Sequence, residues 1–132
     1  CANLRMATRV VTQIFDTALR PAGLKVTQFT LLAKIHRSGT LPVSQLADFV
    51  VMDRTTLTRN LKPLVSNGWV TVEQGSDQRE RLVSLTELGE QTLDAARPHW
   101  AIAQEQVVDA LGLDRWSGLI GDLREATIAT KG

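Results

Sequence analysis

The chain has no tyrosine, one cysteine, two histidines and a formal net charge of only +1 over 132 residues. A lone cysteine closes no disulfide within the chain, which fits a reducing cytoplasm. His36 and His99, even with the thiol, fall short of the four nitrogen, sulfur or carboxylate ligands that a zinc site takes. Each reads as an ordinary surface or half-buried histidine, and no metal or cofactor is expected. No apolar run approaches the roughly 20 residues of a spanning helix, and no signal-peptide pattern is visible, so no membrane role is expected. The chain also lacks a glycine-rich phosphate loop and a nucleophile–histidine–acid set, so nothing points to an enzyme. Internal repeats and low-complexity tracts are missing too. A near-neutral balance is weak support for nucleic-acid binding, so the placement of the cations must carry that question.

What is present is a chain of single-domain length, or one lobe of an intertwined dimer, with an ordinary 43% of hydrophobic residues. The informative stretch is Leu41 to Leu85. Asp53-Arg54-Thr55-Thr56-Leu57-Thr58-Arg59 opens a helix, with Asp53 a good N-cap for the unpaired N–H groups of its first turn. Leu57, Leu61, Leu64 and Val65 recur at helical spacing and form a candidate buried face. Arg54, Thr55, Thr58, Arg59 and Lys62 fall largely off that face, with no acidic side chain after the cap. Asn67-Gly68 stops the helix, Gly68 supplying a left-handed residue.

A preceding helix is expected from a second N-cap at Ser44 through Gln45 to Phe49. Only a short turn then separates it from Asp53. That is the layout of a helix-turn-helix, whose second helix enters the major groove. Arginine forks onto guanine or phosphate, and threonine bonds a base or touches a thymine methyl. Trp69-Val70-Thr71-Val72-Glu73 and Arg81-Leu82-Val83-Ser84-Leu85 then alternate as two strands around a polar connection containing Gly75. Helix-turn-helix followed by hairpin is a winged helix. Arg79 or Arg81 in the wing is placed to meet phosphates or a minor groove.

The run Asp77-Gln78-Arg79-Glu80-Arg81-Leu82-Val83-Ser84-Leu85-Thr86-Glu87-Leu88-Gly89 resembles the wing signature of the MarR family of bacterial transcriptional regulators: Asp-x-Arg, an apolar strand, then Leu-Thr-x-x-Gly. Leu61-Lys62-Pro63-Leu64-Val65-Ser66-Asn67-Gly68-Trp69-Val70 is similar to the family's path out of the recognition helix. The likeness covers nearly the whole chain. It implies a mainly α fold with a small antiparallel β wing, a winged helix-turn-helix carried on N- and C-terminal dimerisation helices. In one 1–132 domain, residues about 24–88 would form the DNA-binding lobe, and 1–23 with 89–132 the dimerisation helices. The partners implied are double-stranded DNA and a second copy of the chain. The activity implied is that of a repressor at a pseudo-palindromic operator, responsive to a ligand. The other reading of the residues is a winged-helix module used only for protein–protein contacts.

In chain order, Leu4, Ala7, Val11, Ile14 and Ala18 form a seam on a helix from about Asn3 to Leu19, widened by Met6, Val10, Phe15 and Leu19. Two apolar sides mean burial on more than one face, in the domain's own core or on a second subunit. The resemblance favours the subunit. Arg20-Pro21-Ala22-Gly23 ends the helix. Thr27 is the expected cap of a helix from Gln28 to Arg37, and Leu41-Pro42-Val43 a candidate third strand. Pro63 predicts a kink or an early end of the recognition helix near Leu61. Thr86 should cap a long helix to about Ala110, bent at Pro98, and Asp114 should cap the last one.

The candidate DNA-contacting residues are Ser44, Gln45, Arg54, Thr55, Thr56, Thr58, Arg59, Lys62, Arg79 and Arg81. Arg54 and Lys62 suit phosphates; Ser44 or Gln45 suits a phosphate at a helix N-terminus. A solvated helix face is the plainer account of the same residues. The resemblance implies that Asp77 and Arg79 shape the wing and that Arg79 reaches DNA; alternatively, Arg81 pairs with Asp77 across the hairpin. The resemblance further implies a pocket for a small aromatic acid effector. Phe15, Leu24, Phe29, Leu32, His36 and Trp100 are candidate lining, and each serves equally well as core. Some family members carry a reactive cysteine near the first helix, held by tyrosines. Without tyrosine, Cys1 reads as a frayed terminal residue.

Overall fold

Burial of the leucine-rich helix faces against a short sheet organises the chain. The computed structural model describes residues 1–131. Helix α1 (Ala2–Leu19) leads through a 3-10 turn (Arg20–Ala22) into α2 (Val26–Ser38). Strand β1 (Leu41–Pro42), α3 (Val43–Val50) and α4 (Arg54–Ser66) follow. Strands β2 (Val70–Gln74) and β3 (Arg81–Leu85) precede α5 (Glu87–Leu111) and α6 (Leu113–Thr130).

The sheet is antiparallel in the order β1-β3-β2, with Val83 facing Leu41 on one side and Val72 on the other. The expected third strand is therefore present, at two residues, with Pro42 on an edge where its missing N–H costs no ladder bond. Val70 and Val83 point into the helices and are buried with Leu31, Leu32, Ile35, Leu46, Leu57 and Leu64. A smaller cluster of Phe15, Ala103 and Val107 lies where α1 packs on α5. Trp100 touches both clusters. Its ring stacks on Phe29 at 5.6 Å and tilts against Phe15 at 6.0 Å.

Several helix starts differ from expectation. Helix α2 begins at Val26, not after Thr27, because its cap comes from another element: Val26 N–H donates to Asp16 Oδ1 of α1 at 2.7 Å. Lys25 N–H is taken by Gln28 Oε1 at 3.0 Å. Helix α3 begins at Val43, one residue before Ser44, because extended Pro42 occupies the cap position. Helix α6 starts at Leu113 after Gly112 at φ 85°, so Asp114 lies inside its first turn, where its charge suits the helix dipole. Helix α4 runs past Pro63 to Ser66, and α5 passes Pro98 unbroken to Leu111. In α4 the buried Leu57, Leu61 and Leu64 hold the helical face on either side of the missing bond.

Residues 1–10 are exposed on every side, and α6 buries no residue. Leu4, Met6, Val10, Ile102, Leu113 and Ile128 are each more than half exposed. The predicted seam of α1 thus meets the chain's own core only from Val11 onward. Among the described residues, no helix is long and apolar enough to cross a membrane.

Candidate nucleic-acid interface

The reading helix is held at both ends. At its start, Asp53 Oδ1 accepts the Thr56 N–H at 2.7 Å and Oδ2 accepts the Thr56 hydroxyl at 3.0 Å. The Thr56 backbone bond, then its hydroxyl, holds the Asp53 carboxyl below the usual aspartate range, against a small desolvation effect; Arg59 adds to the lowering. One turn on, Asn60 Nδ2 donates to the Thr56 carbonyl at 2.9 Å and meets Met52 Sδ at 3.8 Å. The entry turn is strained: Val51 sits at φ 55°, ψ 50°, the left-handed region that β-branched residues avoid.

At its far end, Gly68 at φ 77° reverses the chain, and its carbonyl accepts the Thr86 hydroxyl at 2.6 Å. The Thr86 oxygen in turn caps α5 by accepting Gly89 N–H at 3.0 Å. Thr86 N–H donates to the Trp69 carbonyl at 3.0 Å. A Cβ on Gly89 would lie 2.0 Å from that same carbonyl oxygen, so only glycine fits. The Leu-Thr-x-x-Gly run is therefore a fastening between the end of α4 and the start of α5.

Between these ends Arg54, Thr55, Thr58, Arg59 and Lys62 are exposed on one side of α4 while Leu57, Leu61 and Leu64 are buried on the other. None of these three cations forms an ion pair among the described residues. Arg54, Thr58 and Lys62 face Arg81 of β3 across a groove of about 550 Å³ with an apolar floor that includes Val43 and Val72. Three cations with that floor suit a track for a phosphate backbone. Ser44 and Gln45 are exposed in the first turn of α3, whose leading amides have no side-chain cap.

In the wing, Asp77 acts through the backbone. Its Oδ1 accepts Arg79 N–H at 3.1 Å and its carbonyl accepts Glu80 N–H at 2.9 Å. Gly75 N–H donates to the Glu80 carbonyl at 2.9 Å, and Gln74 Nε2 to the Gln78 carbonyl at 3.2 Å. The expected alternative, Asp77 paired with Arg81, does not form among the described residues. Both Arg79 and Arg81 are exposed.

The sequence model of the MarR family fits residues 24–80. The M. tuberculosis transcriptional regulator MOSR, crystallised in complex with DNA, is 38% identical, with 96% of both chains covered and a TM-score of 0.82. This chain belongs to the MarR family. Its fold is the winged helix of that family, whose members are transcriptional regulators and not enzymes. The transcriptional repressor CouR, bound to a 23-mer DNA duplex, is 26% identical with a TM-score of 0.85, over 96% of this chain and 89% of its own. YwoH, an HTH-type transcriptional regulator of Bacillus subtilis, is 31% identical over 88 residues, 67% of this chain. The chain spans 64% of that regulator's length.

The residues singled out as effector lining do not form one site. Phe15, Phe29 and Trp100 come together, but Leu24 and Leu32 are buried in the lobe's core. His36 is exposed, its Nδ1 2.7 Å from Glu90 Oε2, and ties α2 to α5. A small cleft of about 170 Å³ instead opens beside Phe29 and Trp100, flanked by Lys34 and Arg37. The sequence carries no signal for Asn60 or Asp16 as structural anchors. Thr86 is legible as a helix cap and Gly89 as the end of the Leu-Thr-x-x-Gly run, but neither signal discloses the bond to Gly68 or the contact with Trp69.

Proposed function

We propose that this MarR-family chain is a homodimeric repressor of transcription that reads double-stranded DNA with α4 and the wing. The observation that carries it is the exposed face of Arg54, Thr55, Thr58, Arg59 and Lys62, without ion pairs among the described residues and fastened at both ends to the rest of the lobe. Thr55, Thr58 and Arg59 read base edges; Arg54, Lys62, Arg79 and Arg81 take phosphates, Arg79 at the edge of the flanking groove, with Ser44 or Gln45 at the α3 terminus. Pairing of the exposed apolar sides of α1 and α6 with a second copy brings two reading helices roughly 34 Å apart, one DNA turn, over a pseudo-palindrome. Repression is steric, by occupying a promoter in the cytoplasm. Carriage of the lobe on residues 1–23 and 89–132 makes that spacing adjustable. A small aromatic acid at the Phe29–Trp100 cleft, its carboxylate toward Lys34 and Arg37, shifts the spacing because it binds one arrangement better.

The test is selection of bound sites from random duplexes. A pseudo-palindromic consensus that Arg59→Ala no longer enriches is the expected result. A dimer that enriches nothing and ignores salt would favour a protein-contact module instead.

A further inference from the structure

We infer that Thr56 is a positioning residue: with Asp53, Asn60 and Met52 it forms a polar latch that keeps the first turn of α4 folded before any duplex arrives. This rests on the DNA-reading proposal above. Thr56 differs from its neighbours. Thr55 and Thr58 are exposed and their hydroxyls make no hydrogen bond among the described residues, whereas Thr56 is half-buried and occupied. Its N–H and its hydroxyl go to the two oxygens of one carboxylate, at 2.7 and 3.0 Å. Its carbonyl accepts Asn60 Nδ2 at 2.9 Å, and that same amide meets the Met52 sulfur in the entry turn at 3.8 Å. The hydroxyl proton that a base reader would offer is already committed.

A helix's first turn is where its N–H groups lack partners and fraying is least opposed. Here the turn follows Val51 in a disfavoured conformation. Fixing Met52, Asp53, Thr56 and Asn60 to one another holds Thr55, Thr58 and Arg59 at fixed angles. Without the latch, those side chains must be ordered during binding, and the affinity falls by that ordering. The loss falls on every base position in a half-site, not on one.

The experiment takes the duplex that the wild-type chain selects and measures its affinity and that of each single base-pair variant, for wild type, Thr56→Val and Thr56→Ser. For Thr56→Val we expect a loss of roughly fivefold per half-site, hence about 25-fold for a duplex with two, on the scale of a lost helix cap. Penalties for wrong base pairs should shrink across the half-site while the salt dependence stays unchanged, and Thr56→Ser should restore both. Amide exchange in the free protein at residues 55–59 should quicken about fivefold in Thr56→Val, a readout that needs no duplex. Should Thr56→Val fail to fold, Asn60→Ala should show the same spread of losses, more weakly. A change confined to one base pair, unchanged exchange rates, or a Thr56→Ser that behaves like Thr56→Val would overturn the latch. A wild-type chain that selects no duplex would instead remove the DNA-reading proposal itself.

Discussion

Gly89→Ala offers the sharpest structural test. The new methyl would sit 2.0 Å from the Trp69 carbonyl oxygen and 3.0 Å from its carbon. Both are backbone atoms, so no side chain can swing aside. Helix α5 must back away by more than 1 Å to reach ordinary contact near 3.4 Å. That movement stretches the bonds from Thr86 to Trp69 and Gly68, each worth about 1 kcal/mol net. Overpacking against backbone costs about 2 kcal/mol more, while alanine returns about 1 kcal/mol through helix propensity. The net expectation is a loss of about 3 kcal/mol, or a fall in Tm of about 10 °C for a chain of this size. Urea unfolding followed by circular dichroism at one fixed protein concentration reads it, since dimerisation would couple stability to concentration. A variant as stable as wild type would refute the fastening between α4 and α5.

Other expectations follow from single contacts. The Asp53 carboxyl is lowered in the folded chain, so the stability it contributes is present above its unfolded pKa and lost as pH falls through the folded one. The stability gap between wild type and Asp53→Ala should therefore hold steady at neutral pH and close below about pH 4, as thermal melts across a pH series would show. Val51→Asn should gain about 0.5 kcal/mol or more by relieving the left-handed β-branched residue; a loss of stability in urea would contradict the strain. Arg79→Ala should weaken binding to all duplexes by a similar factor and make the log–log salt slope shallower by about 1 per wing, measured by fluorescence anisotropy. An unaltered slope would withdraw Arg79 from the phosphate contacts.

The parts of the fold legible from sequence were those whose signals are local. Asp53 three residues before Thr56, Gly68 after a leucine-spaced helix, and alternation in Val70 to Gln74 and Arg81 to Leu85 each state their structure within a few residues. The sequence points to a start of α2 after Thr27, whereas the helix begins at Val26, because its capping oxygen belongs to Asp16, ten residues back on another helix. The cap at Thr86 is legible, but its bond to Gly68 and the close approach of Gly89 to Trp69 are not, for a similar reason: those partners lie across the hairpin. Pro63 suggests a kink or an early end near Leu61 because propensity is local; α4 runs on to Ser66, the buried leucines around the proline overriding an early end. On the candidate interface, the exposed basic and threonine positions followed from the leucine spacing. The committed hydroxyl of Thr56 did not, because adjacent threonines look alike until the turn is folded.

The central claim is that α4 and the wing form a cationic reading face presented twice to a duplex. The most direct measurement is the affinity of the chain for its selected duplex across a series of salt concentrations, with the bound mass determined alongside. With Arg54, Lys62, Arg79 and Arg81 all engaged in both copies, two chains per duplex and a slope of log affinity against log salt near −7 are expected, at about −0.9 per neutralised phosphate. A flat salt series, or one chain per duplex, would contradict the account.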